Sequence, residues 1–127
     1  MNRTARLFLL LGCGNAALAI VLGAFGAHAL RSRLAPELLA VFHTGNQYHV
    51  YHALGLCLVG LLALHLPPST WLRAAGVMML AGLLLFSGSL YLLAVTGVRE
   101  LGVVTPVGGL ALISAWLLLL PAVAGGR

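Results

Sequence analysis

The chain contains no lysine and no aspartate, and its only acidic residues are Glu37 and Glu100. Without aspartate there is no acid of that type to orient a histidine in an acyl-transfer triad, and Ser87-Gly88-Ser89 is not the Gly-x-Ser-x-Gly turn that presents a nucleophile. Both glutamates fall near predicted turns, so no carboxylate waits inside a long apolar run to carry protons or bind a hard metal ion. Cysteine is equally scarce: Cys13 and Cys57 lie in separate apolar stretches with no CxxC or Cys/His zinc spacing, which leaves them as packing residues. Charge of either sign is rare, at 7% of 127 residues where soluble domains carry about a quarter. That shortage excludes a water-soluble globule. The formal net charge of +5 comes from arginines scattered at the ends of apolar runs, not from a basic stripe, so the reading is anchoring at anionic head groups and no nucleic-acid partner.

What is abundant is hydrophobic residue, 61% of the chain, with a mean hydropathy of +1.08. A membrane-crossing helix needs about 20 apolar residues, so the length allows four or five crossings and no sizeable aqueous domain. The first run, Leu7 to Leu30, follows Arg3 and Arg6. Ala27-His28-Ala29 resembles a signal-peptide cleavage site, but a signal core has about 7 to 15 residues and this run is longer, so it reads as a retained helix. A second helix starts near Pro36 and stops at Pro67-Pro68. Unbroken, it would exceed the hydrocarbon core of about 30 Å by a wide margin. The spacing of Leu34, Leu38, Val41 and Phe42 against Glu37 and His43 therefore predicts an interfacial amphipathic segment over 34–45, a bend at Gly45-Asn46 and a span over 47–66. Ser69 or Thr70 is expected to cap a third helix over 71–96, ended by Gly97, and Thr105-Pro106 to open a fourth over 105–124.

The expected fold is thus an all-α, antiparallel bundle of four transmembrane helices forming a single domain, 1–127. Small residues at close-packing spacing include Gly23, Gly26, Gly108 and Gly109, which let helix backbones approach in lipid and point to a tight bundle or a homo-oligomer. Arg3, Arg6, Arg73 and Arg127 fall on the side that holds both chain ends, against Arg31, Arg33 and Arg99 opposite. The excess favours cytoplasmic termini.

Alternating spans bring most polar residues toward one leaflet, leaving the other half to Leu, Val and Met. His28, Gln47, Tyr48, His49, His52, Ser87, Ser89, Tyr91 and Thr105 form the expected polar pocket, since polar groups at bilayer depth need partners. Their roles stay open between interfacial anchors, a lipid, amphiphile or partner site, the path of a transporter or channel subunit acting as an oligomer, and a haem or metal site built on the histidines. No HExxH, CxxCH or carboxylate set supports the last, and neither a cofactor nor a metal ligand is assigned.

Four motifs in order, Gly23-Ala24-Phe25-Gly26-Ala27-His28-Ala29-Leu30, Thr44-Gly45 with Gln47-Tyr48-His49 and Tyr51-His52-Ala53-Leu54, Leu85-Phe86-Ser87-Gly88-Ser89-Leu90-Tyr91, and Thr105-Pro106-Val107-Gly108-Gly109 with Trp116, resemble domain-of-unknown-function family 423. The eukaryotic transmembrane protein 256 is similar. The resemblance implies four transmembrane helices in a bacterial inner membrane and no assigned activity. It ties His28, His52, Ser87, Tyr91, Pro106 and Gly109 to the family pattern and His49 less so. The expectation is a non-catalytic membrane protein whose partners are membrane lipids, a second copy, or a membrane complex that it serves as an accessory subunit.

Overall fold

The computed structural model describes residues 1–127 and is all-helical: α1 (Arg3–Phe25) running into a π-helical turn (Gly26–Leu30), α2 (Pro36–His65), α3 (Thr70–Thr96), a 3₁₀ turn (Arg99–Val103) and α4 (Val104–Val123). All four helices are long and apolar enough to cross a membrane. Helix α1 packs on α2, α2 on α3, and α3 on α4.

Local chemistry sets the ends. Asn2 caps α1 by accepting from the Ala5 N–H at 2.8 Å, and its own amide donates to Ala63 O at 2.7 Å, tying the start of α1 to the end of α2. Pro36 occupies the first turn of α2, and Leu66 turns extended ahead of the two prolines that stop it. Ser69 caps α3 and also donates to Gly126 O at 3.0 Å. Gly97 closes α3 with φ of 71°, a left-handed conformation that glycine adopts without strain. The contacts of Asn2 and Ser69 gather both chain ends and the α2–α3 loop at one end of the bundle.

Two sequence expectations are corrected. Helix α2 is continuous for 30 residues, with no bend at Gly45-Asn46. Its first turns still form the amphipathic segment: Phe42 is buried with Leu30 and Ala94, Leu34, Leu39 and Val41 pack alongside, and Glu37 and His43 are exposed. The helix runs through Gly45-Asn46 unbroken, and the Asn46 amide bonds to neighbouring helices instead of competing for its own backbone. Thr105, expected as a cap, lies one residue inside α4, which begins from the preceding 3₁₀ turn without a side-chain cap. Its hydroxyl is engaged with α3 instead.

The interior has three layers along the bundle. Toward the chain ends, Phe8, Leu56, Val59, Leu72, Met79, Leu83, Leu112 and Leu119 form the main apolar core, matching the half expected to be packed by Leu, Val and Met. At the opposite end sits the smaller Leu30, Phe42 and Ala94 cluster. His49, His52, Ser87 and Ser89, the buried polar residues of the helix interiors, fall between these two.

Candidate functional site: a layer of interhelical hydrogen bonds

The first cluster joins α1, α2 and α3. Asn15 donates its amide to Leu11 O at 2.9 Å, so its oxygen is left to accept, and His49 Nε2–H donates to it at 2.9 Å. His49 Nδ1 must then accept, and it lies 2.9 Å from the Tyr91 hydroxyl. Tyr91 donates there and accepts from the Asn46 amide at 3.2 Å, while the other amide hydrogen of Asn46 reaches Ala19 O at 2.8 Å. Donor and acceptor roles along the chain Asn46, Tyr91, His49, Asn15 are therefore fixed in one direction. Gly23 makes this possible, since a Cβ there would sit 2.8 Å from Asn46 Oδ1.

The second cluster joins α2 and α4. His52 Nδ1–H donates to Tyr48 O at 2.7 Å, and Nε2 accepts from the Trp116 indole N–H at 3.0 Å. These two bonds hold the ring in its Nδ1–H tautomer with both nitrogens occupied. Tyr48 stacks on His52 at 6.1 Å and packs on Phe86 at 4.7 Å between ring centroids. The third cluster joins α3 and α4: Ser89 donates to Phe86 O at 2.9 Å, so the Thr105 hydroxyl donates to Ser89 Oγ at 2.6 Å.

The expected single pocket is thus three separate fastenings. His49 and Tyr91 belong to one, His52 and Tyr48 to another, Ser89 and Thr105 to the third. Ser87 is buried, and its hydroxyl finds no partner. His28 is exposed on the π-helical turn and lies outside all three clusters. Gln47 is exposed too and donates to Tyr51 Oη at 2.6 Å on its own helix. Asn15, Asn46 and Trp116 are the members that the sequence reading did not place in the pocket. The available signal was that Asn15 lies deep in the uncharged run between Arg6 and Arg31, where an amide needs a partner.

Around the clusters the helices close up on glycine. A Cβ on Gly108 would collide with the backbone of Phe86, and one on Gly26 would lie 2.5 Å from the Phe42 ring. Gly109 has room, with the Phe86 ring 3.7 Å from such a Cβ, so it is no tight packing point. No three His, Cys, Asp or Glu side chains converge as metal ligands.

Fold and site together define a four-helix integral membrane protein fastened internally by paired polar side chains. Residues 22–109 match the family described as Protein of unknown function (DUF423), and the chain belongs to that family. It is similar to the UPF0382 membrane protein YwdK of Bacillus subtilis, at 50% identity over 117 residues, covering 92% of this chain and 95% of the relative. A UPF0382 membrane protein of Staphylococcus epidermidis is 41% identical over 114 residues, covering 90% and 92%. No solved structure matches the chain.

Proposed function

We propose that the protein is a non-catalytic binder of a membrane amphiphile, held on the face where α2 and α4 meet over Phe86. The observation that carries this reading is the pairing of Tyr48 and Trp116 across His52: the two residues are 38% and 41% exposed, and the Tyr48 hydroxyl has no partner in the chain. Gln47 and Tyr51 lie beside Tyr48 with polar atoms that also face outward. Exposed polar tips on apolar rings suit an amphiphile with a polar head and a long tail, for which Leu110, Ile113 and Leu117 of α4 provide an exposed aliphatic track. The buried histidines take no part in binding, since all four ring nitrogens are already engaged, three by side chains of other helices and His52 Nδ1 by the Tyr48 carbonyl of its own helix.

In the same reading the protein sits in the bacterial inner membrane with both termini cytoplasmic, on the side richer in arginine. Native mass spectrometry of the detergent-purified protein tests the site. Lipid adducts of the wild type should fall several-fold in Tyr48→Phe combined with Gln47→Leu, with the oligomeric state read in the same spectra. Equal adduct occupancy in both proteins would reject the face as the binding site.

A further inference from the structure

A cavity of about 200 Å³ opens at the end of the bundle that holds both chain ends, remote from the aromatic face. Its polar lining is Asn2, Thr4, Ser69 and Arg73, and Leu66 and Leu72 are among the apolar residues that complete it. Asn2 and Ser69 are spent on capping and on ties to Ala63 and Gly126. The Thr4 hydroxyl and the Arg73 guanidinium make no hydrogen bond within the chain, so two donors face the cavity unengaged. No glutamate shares this end, where the one carboxyl group is that of Arg127, engaged by the Thr70 hydroxyl at 3.0 Å. Glu37 lies in the first turn of α2 and Glu100 in the Arg99–Val103 turn, both at the opposite end, whereas Arg3 and Arg6 stand close by on α1. The volume is below the roughly 300–1,000 Å³ of pockets that enclose whole small molecules, but a compact anionic head group can enter while its chains remain in the bilayer.

We propose that this cavity binds a phosphate group, and specifically the phosphodiester of an anionic phospholipid. Arginine offers a planar fork of N–H donors that matches two phosphate oxygens, and the threonine hydroxyl donates to a third. Leu66 and Leu72 lie beside the glycerol end of the lipid, which a soluble phosphate compound lacks. The site is independent of the aromatic face and stands or falls separately from it.

The test uses the full chain in detergent, with phosphatidylglycerol, phosphatidylcholine and inorganic phosphate as probes. Native mass spectrometry should show phosphatidylglycerol retained over phosphatidylcholine, and Arg73→Gln should reduce that retention about fivefold, the effect of roughly one arginine at an anionic membrane surface. Thr4→Val should reduce it more modestly, and Arg99→Gln, at the opposite end, should leave it unchanged. Helical circular dichroism and a monodisperse elution profile identify correctly folded variants, and Thr4→Val keeps the test decisive if Arg73→Gln fails to fold. Equal retention of phosphatidylglycerol in wild type, Arg73→Gln and Thr4→Val overturns the site. Displacement of the lipid by millimolar inorganic phosphate would reassign it to a soluble phosphate and overturn the lipid. Loss of adducts in Tyr48→Phe with Gln47→Leu but not in Arg73→Gln would leave the aromatic face standing and this inference refuted.

Discussion

At the scale of single residues, what distinguishes the polar layer is that its members are complementary in donor and acceptor count. Tyr91 is the hinge of the first cluster because its one hydroxyl accepts from Asn46 and donates to His49. Tyr91→Phe leaves His49 Nδ1 without a donor in a medium that cannot supply one. Hydrogen bonds between membrane helices average about 0.6 kcal/mol and reach about 1.7, so the loss of two should destabilise the bundle by about 1–2 kcal/mol. Unfolding in mixed micelles titrated with dodecyl sulfate measures this, and a variant as stable as the wild type would show that the cluster contributes nothing. Ser87 makes the opposite case. Its hydroxyl is buried without a partner, so Ser87→Ala removes an uncompensated polar group and should be neutral or stabilising by up to about 1 kcal/mol in the same titration. The sequence showed that histidines, tyrosines and serines recur at related depths, but not which partners they choose. Asn46 illustrates why: next to a glycine, its amide reads as a bend former, and only the approach of α1 at Gly23 turns it into a link between helices.

Among the helices, contact is set by where a side chain is missing. Gly12 of α1 faces α2 so closely that a Cβ would lie 2.7 Å from Cys57 N and 2.9 Å from Ala53 O, both backbone atoms that cannot swing aside. Gly14, two residues on, faces open space. Gly12→Ala must therefore push α1 and α2 apart, at a cost of about 1–3 kcal/mol typical of overpacking. Gly14→Ala should be neutral or gain up to about 1 kcal/mol from the better helix former. The pair shares residue type and helix and differs in what each position faces, so a similar effect at both would refute the assigned α1–α2 face. Helix boundaries were legible in the sequence because Pro36, Pro67, Ser69 and Gly97 act locally. The faces were not, because α1 and α4 are apolar all round and periodicity then carries no direction.

For the molecule as a whole, four crossings place both ends on one side, as the ties of Asn2 to Ala63 and Ser69 to Gly126 require. Which side that is depends on arginine alone, since lysine is absent and the two glutamates weigh little in orientation. Arg3, Arg6, Arg73 and Arg127 stand against Arg31, Arg33 and Arg99, a bias of a single residue. In the orientation proposed above the margin is narrow, and the N-terminal arginines are expected to hold most of it because they meet the insertion machinery first. Arg3→Ala with Arg6→Ala leaves two arginines against three. Reporter fusions at the C-terminus, one active only in the cytoplasm and one only outside it, should then shift from a cytoplasmic signal to a mixed or inverted one. The bundle itself should persist, because neither arginine makes a hydrogen bond through its side chain, and Asn2 caps α1 regardless. A wholly cytoplasmic C-terminus in the double variant would mean that orientation is fixed by something other than the arginine balance, and a wild type already facing outward would overturn the proposed cytoplasmic termini.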